Sequence, residues 1–352
     1  MDPAKKEHEL LVSVSPHVRD SVTVSGIMWT VSAALLPALG AGVYYFGLRA
    51  LYVTLACIAA SMASEALVNW MTDRKGTLMD GSGFLTGLLL GLNLPPSSPY
   101  YIPIIGSFVA IAITKMLFGG LGFNVLNPAL VGRAFVLITW PRAMTTWTQA
   151  TVGMEKVDAT TTATPLGMMK EGVAIGGHTI KGIEALVHEF GSKADAYKAM
   201  LFGNIGGSLG ETSAALILIG GLFLMAKRYI SWHIPVSFIG TVALLAWIFG
   251  GIDNETGKIA FFQGDALAHV LSGGLMLGAF FMATDYVTVP SVRKAQLIFG
   301  IGCGALTVLI RLKGGFPEGV MFAILLMNCF TPLLDRKFRT SPFGLRKEAA
   351  RS

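Results

Sequence analysis

A chain of 352 residues in which 53% of side chains are hydrophobic and only 14% are charged is too apolar for an ordinary soluble domain, where about a quarter of residues carry charge. Its formal net charge of +6 does not mark a nucleic-acid binder, because the basic residues sort by expected membrane side and form no patch interleaved with aromatics. The lipid bilayer is the solvent that this composition fits.

Residues 1–21 are polar and read as a cytoplasmic segment. No small-residue cleavage site follows the first apolar run, so that run is expected to remain as a helix. Runs of about 20 apolar residues predict membrane helices at 22–46, 51–70, 101–117 and 126–140, then at 213–225, 234–249, 296–310 and 320–334. Two shorter, glycine-broken runs, 84–94 and 267–282, bring the expected number to about ten. The fold class is therefore an all-α integral membrane protein. Residues 22–140 and 213–335 form two membrane units, joined by a long loop over 141–212 and followed by a basic tail over 336–352.

With ten spans, fifteen of the 27 basic residues face the side of the termini, whereas the opposite short loops hold only Arg49, Lys258, Arg311 and Lys313. The positive-inside rule then places both termini in the cytoplasm and the loop over 142–207 outside, in an inner-membrane, multi-pass topology. That loop carries six basic and six acidic residues, a balance suited to export. Trp70, Trp140, Trp232 and Trp247 fall at predicted helix ends, where interface anchors belong.

The two broken runs resemble each other, with Ser82-Gly83-Phe84-Leu85 in one half and Ser272-Gly273-Gly274-Leu275 in the other. From Pro95 to Gly119-Gly120 and from Pro290 to Gly314-Gly315 the separation is 24 residues in both halves. Two copies of a five-helix unit follow, and because five is odd they face opposite ways across the membrane. That is an inverted-repeat architecture with short broken helices, similar to urea-transporter-like folds.

Glu65, Lys115, Arg133 and Asp285 fall in or at the ends of apolar segments, where ionisable groups are costly. Lys115 is expected to snorkel to the interface, and Arg133 to pair with Glu65 or another carboxylate. Asn127-Pro128 reads as a helix cap followed by a first-turn proline. Ser208-Leu209-Gly210-Glu211 fits a capping box. Cys57, Cys303 and Cys329 lack Cys-x-x-Cys spacing and the six histidines lack ligand spacing, so no metal site is indicated within the chain.

The outside loop contains Asp158-Ala159-Thr160-Thr161-Thr162-Ala163-Thr164-Pro165-Leu166. Hydroxyls without a neighbouring base suit neither hydrolysis nor nucleophilic catalysis. They suit a solvated turn or a modification site, and Pro165 predicts an extended, accessible Thr164.

The string resembles the flavinylation motif Asp-x-x-Ser-Gly-Ala-Thr of the Rnf complex and of the sodium-pumping NADH:quinone oxidoreductase. Asp158, Ala163 and Thr164 match it; Thr161 stands for the serine and Thr162 for the glycine. Ser82-Gly83-Phe84-Leu85-Thr86-Gly87-Leu88, Asn127-Pro128-Ala129-Leu130 and Gly203-Asn204-Ile205-Gly206-Gly207-Ser208-Leu209-Gly210-Glu211-Thr212-Ser213-Ala214 are similar to segments of the Rnf D subunit and of its relative, the quinone-reductase B subunit. The short amino terminus is closer to the former.

The resemblance implies covalent FMN on Thr164 through a phosphoester, with Asp158, Thr161, Thr162 and Ala163 as the recognition motif of a flavin transferase. It implies a second, non-covalent flavin, riboflavin, for which no residue is indicated. It also implies partners: a flavin-bearing G-like subunit, membrane A- and E-like subunits, and iron–sulfur B- and C-like subunits. The function implied is that of an electron-transfer subunit in a complex coupling ferredoxin and NAD chemistry to Na⁺ or H⁺ transport. With no dinucleotide fingerprint and no cluster ligands, the chain has no complete active site of its own. The alternatives are the quinone-reductase B subunit and a urea-transporter-like channel without redox function.

Overall fold

A computed structural model describes residues 22–73, 77–148, 150, 161–175, 178–252 and 259–339. The first membrane unit comprises α1 (Val24–Phe46), α2 (Leu48–Met71), α3 (Ser82–Leu92), α4 (Tyr101–Phe108) and α5 (Pro128–Thr139), and α4 runs on as a π-helical stretch, Val109–Met116. The loop then carries α6 (Pro141–Thr145), the paired strands β1 (Trp147–Thr148) and β2 (Thr161–Thr162), and α7 (Pro165–Glu171). After these come the hairpin β3 (Val173–Ile175) and β4 (His178–Ile180), then α8 (Ile183–Phe190) and α9 (Lys193–Phe202). The second unit holds α10 (Ala214–Ala226), α11 (His233–Phe249), the strand pair β5 (Gly251–Ile252) and β6 (Ile259–Ala260), α12 (Ala266–Leu271), α13 (Leu275–Leu277), α14 (Arg293–Lys313) and α15 (Val320–Lys337).

The helices α1, α2 and α14, with 23, 24 and 21 residues, are each long and apolar enough to cross a bilayer. Shorter apolar helices accompany them, so the chain is an all-α, multi-pass membrane protein. The expected break in 267–282 lies at Ser272-Gly273-Gly274, between α12 and α13, where Gly273 takes φ +69°. Asn127 caps α5 through its side chain, which accepts from the Leu130 amide at 3.3 Å, with Pro128 opening the helix as expected.

Small residues set the helix spacing. Gly83, Gly87 and Gly91 recur every fourth residue along α3, and a Cβ would lie 2.6 Å from the Ile58 Cα at Gly87 and 2.9 Å from the Thr54 Cα at Gly91. The α3 backbone therefore rests directly on α2, as small-x-x-x-small faces permit. The same device joins α14 to α11, where a Cβ on Gly304 would meet Thr241 Cβ at 2.6 Å. One apolar core runs through both units, from Leu35, Val53 and Leu88 to Phe238, Phe299 and Ile324.

The long loop between the units is structured: its described part holds four helices and its own apolar cluster of Leu166, Met169, Leu186 and Met200. One expectation needs correction. Lys115 does not snorkel. It is 2% exposed, and its Nζ donates to Glu65 Oε1 at 2.8 Å and to Ser82 Oγ at 2.6 Å. Gly83 explains this, because a Cβ there would overlap the Glu65 carboxylate, so the missing side chain makes room for a buried ion pair. Asp285 has a local partner, accepting from Thr288 Oγ1 at 3.3 Å.

Candidate functional site

The threonine string is built into the structure by its own chemistry. Thr161 and Thr162 form β2, pairing with Thr148 and Trp147. Thr164 then caps α7: its backbone is extended, with φ −68° and ψ 156°, and its Oγ1 accepts from the Gly167 amide at 3.0 Å. A threonine cap followed by proline at the first helical position satisfies one orphan amide and removes another, so Thr164-Pro165 fixes both the turn and the start of the helix. The extended conformation expected before Pro165 is found, but accessibility is not. Thr164 is only 3% exposed, because its hydroxyl turns onto the helix end. Asp158 lies outside the described residues.

The segment after α9 locks the loop to the membrane units. Gly203 ends α9 at φ +114°, and a Cβ there would overlap the Thr212 carbonyl, so only glycine fits on both counts. A Cβ on Gly206 would overlap Thr162 Cγ2, which sets this glycine directly under the threonine string. At Gly210 it would lie 2.7 Å from Leu277 Cδ2 and 2.9 Å from the Leu92 carbonyl, so the segment threads between the two halves. The expected capping box does not form. The Glu211 amide donates to the Ser208 carbonyl at 3.0 Å rather than to its side chain, because Leu209–Glu211 is a single 3-10 turn.

The Glu211 carboxylate turns instead towards Arg133, 4.0 Å from Nη2. Arg133 Nη1 donates to Asn93 Oδ1 at 2.8 Å, and Nη2 makes a short ion pair with Glu318. Glu65, taken by Lys115, is not the partner of Arg133. The cluster joins α3, α5, the segment before α10 and the turn before α15, and Arg133 and Glu318 stand 185 positions apart. Local spacing gives no sign of it; an arginine inside an apolar helix is the sole signal in the sequence, and nothing there singles out Glu318.

Thr162, Ala163 and Thr164 line a cavity of ≈ 370 Å³ together with Arg133, Trp147 and Glu318. That volume lies within the range of small-molecule sites, roughly 300–1,000 Å³. On its far side, Lys170 of α7 donates through Nζ to the carbonyls of Gly314 (2.5 Å) and Phe316 (3.0 Å). The helix bearing Thr164 is thereby tied to the turn that carries Glu318. Desolvation holds the Lys170 ammonium below its ordinary pKa. Among the described residues no group of His, Cys, Asp and Glu is arranged to hold a metal ion.

The site thus brings a threonine hydroxyl and a guanidinium into the lining of one cavity, and among the described residues no general base is hydrogen-bonded to that hydroxyl. Comparison with known proteins agrees in placing the chain among membrane redox subunits. It is 50% identical over 342 residues to the D subunit of the proton-translocating ferredoxin:NAD(+) oxidoreductase complex of Clostridium ljungdahlii, covering 97% of this chain and 98% of that protein. It is 42% identical over 341 residues to the D subunit of the Na(+)-translocating ferredoxin:NAD(+) oxidoreductase complex of Acetobacterium woodii, covering 97% of each. To the D subunit of the ion-translocating oxidoreductase complex of Stutzerimonas stutzeri it is 43% identical over 334 residues, 92% of each chain. The sequence pattern of the NQR2, RnfD, RnfE family matches residues 11–344, and with these relatives at near full length the chain belongs to that family.

Proposed function

We propose that this chain is the D subunit of an ion-translocating ferredoxin:NAD oxidoreductase complex and carries FMN as a phosphoester on Thr164. The observation that carries the reading is the cavity of ≈ 370 Å³ whose lining contains both Thr164 and Arg133. The residues fit the group. Thr164 would supply the ester oxygen, Trp147, Phe316 and Met321 would supply apolar surface, and Arg133 would favour negative charge in the cavity. A bound flavin would supply the one-electron chemistry that no side chain here provides. What the chain contributes is placement: α7 fixes the attachment point, Lys170 ties α7 to the turn before α15, and the Arg133–Glu318 pair sets the local field.

The wider reading is an inner-membrane protein of about ten helices in two inverted repeats, with both termini cytoplasmic and the Thr164 loop outside. The first of the two expected breaks is absent, since Ser82–Leu92 is one continuous helix; what supports the repeat is that this helix and Leu275–Leu277 each start just after a left-handed glycine, Gly81 and Gly273. Its partners are the flavin-bearing, iron–sulfur and other membrane subunits of the complex, with a flavin transferase for maturation; riboflavin as a second flavin belongs to the same reading. The names of the relatives favour this over the quinone-reductase B subunit.

The test is covalent flavin. Made alongside a flavin transferase, the denatured wild-type band should fluoresce under ultraviolet light, and the tryptic peptide holding Thr164 should gain the mass of FMN less water. Thr164→Val keeps the shape and removes the oxygen, so fluorescence should vanish while the protein still extracts as a folded membrane protein. A Thr164→Val band that still fluoresces, or a wild-type band that never does, overturns the assignment.

A further inference from the structure

On the opposite face of α7 lies a second cavity, of ≈ 380 Å³, which the flavin reading does not use. Its lining contains four cationic residues, Lys170, Lys181, Arg311 and Lys313, against one carboxylate among the described residues, Asp265. That carboxylate is committed elsewhere. It accepts from Lys193 Nζ at 2.8 Å and Tyr197 Oη at 2.5 Å, and it caps the Ala268 amide of α12 at 2.9 Å. The wall is therefore positive even with Asp265 ionised.

Arg311 is the informative residue. It is 3% exposed, it donates through Nη1 to the His269 carbonyl at 2.5 Å and through Nη2 to the Ser272 carbonyl at 3.2 Å, and its Nε has no partner. No carboxylate among the described residues lies within ion-pair distance of it, in contrast to Lys115 and Arg133, which both have one. The neighbouring His269 ring also leaves Nδ1 unpartnered. The guanidinium hydrogen-bonds only carbonyls and feels the Glu211 and Glu318 carboxylates from beyond ion-pair distance, so its charge is incompletely met inside the protein, and an anion in the cavity would offset the remaining cost.

The surroundings indicate what kind of anion. The same lining includes Leu166, Met169, Phe249 and Leu312, so half of the cavity is greasy. Trp247, Phe249, Phe261 and Phe262 are exposed beside it, and the Trp247 and Phe262 rings meet edge to face at 5.3 Å. Exposed aromatics grouped at the ends of apolar helices mark the head-group level of a bilayer. We infer that this cavity is a phosphate-binding site, with Arg311 and Lys313 as its principal cationic groups, filled by the phosphodiester of an anionic phospholipid or by free phosphate. A fork of guanidinium donors beside a lysine suits phosphate oxygens, and basic pockets between membrane helices suit lipid head groups.

The experiment uses the full chain, purified in a neutral detergent, delipidated and melted while its tryptophan fluorescence is followed. One arm adds phosphatidylglycerol or phosphatidylcholine in mixed micelles; the other adds inorganic phosphate or chloride at matched ionic strength. The expected result is a rise in Tm with phosphatidylglycerol beyond that with phosphatidylcholine, or with phosphate beyond that with chloride. The first identifies the source as lipid and the second as free anion. Arg311→Gln should shift the concentration giving the half-maximal rise at least tenfold. Should Arg311→Gln fail to fold, Lys313→Gln, at the exposed end of α14, should shift it severalfold. No rise in either arm, a rise matched by chloride, or an equal response from wild type and the folded variant overturns the assignment.

Discussion

One buried ion pair lies within the first membrane unit and another bridges the two units, and the two are built differently. Lys115–Glu65 is closed: one ammonium and one carboxylate lie within 2.8 Å, supported by Ser82 and by Thr77 Oγ1, which donates to Glu65 at 2.5 Å. Arg133 is open: one guanidinium is shared by Glu318 and Glu211, with one oxygen of each carboxylate lacking a hydrogen-bond partner, and it lines a cavity that Thr164 also lines. Both clusters leave a carboxylate oxygen without a partner, Glu65 Oε2 in the first, and both line a cavity. What separates them is room: ≈ 80 Å³ beside Lys115 against ≈ 370 Å³ beside Arg133, so only the second has space for a small molecule.

The largest expected effect comes from breaking the closed pair on one side. Lys115→Met leaves Glu65 buried and unpaired, which should cost about 3–5 kcal/mol. Adding Glu65→Gln should recover much of that loss, read as thermal melting in detergent; if the double variant is no more stable than the single, the pair is not a coupled unit. Next comes the helix contact that makes the pair possible. Gly87→Ala forces a methyl to within 2.6 Å of the Ile58 Cα and should cost about 1–3 kcal/mol. An unchanged melting point would show that α3 is free to move off α2.

In the open cluster the effect should fall on redox behaviour more than on stability. Glu318→Gln removes one of the two charges facing Arg133 and leaves its shape, so negative charge in the cavity becomes easier to hold. If Thr164 carries flavin as proposed, its potential should rise by a few tens of millivolts, from a Coulomb change of roughly 1–2 kcal/mol at an effective dielectric near 20. Spectroelectrochemical titration reads it, and a fall in potential would place the flavin ring away from this pair. The smallest expected change is that of Thr164→Ser. It keeps the cap oxygen, so stability should hold, whereas Thr164→Ala should lose about 1 kcal/mol. Equal melting of the alanine and serine variants would show that the Gly167 contact carries no weight.

How much was legible in the sequence follows from whether the cause was local. Long apolar runs placed the ends of α1, α2 and α14 to within three residues, and Ser272-Gly273-Gly274 marked a true break, because hydropathy and glycine act where they stand. The buried state of Lys115 was not legible, since it depends on a side chain missing at Gly83, 32 positions earlier and on another helix. The helices α8 and α9, of 8 and 10 residues, were hidden in a loop of mixed polarity, where so short a period does not stand out. At the candidate site, the motif singled out Thr164 as an expectation, and Pro165 made its extended backbone legible. The Arg133–Glu318 pair spans 185 positions and leaves no periodic trace.

The enclosure of Thr164, at 3% exposure, bears on how such a protein is made. A transferase needs the hydroxyl in the open, yet the finished fold turns it onto the amide of Gly167 and covers it with α7 and its neighbours. If Thr164 carries FMN as proposed, attachment has to come before α7 docks, and docking then seats the modified threonine in its cavity. A chain that docks first would be closed to the enzyme, so occupancy would be settled by the order of events during biogenesis rather than by an equilibrium afterwards. Transferase supplied late should modify newly made chains and leave mature ones bare.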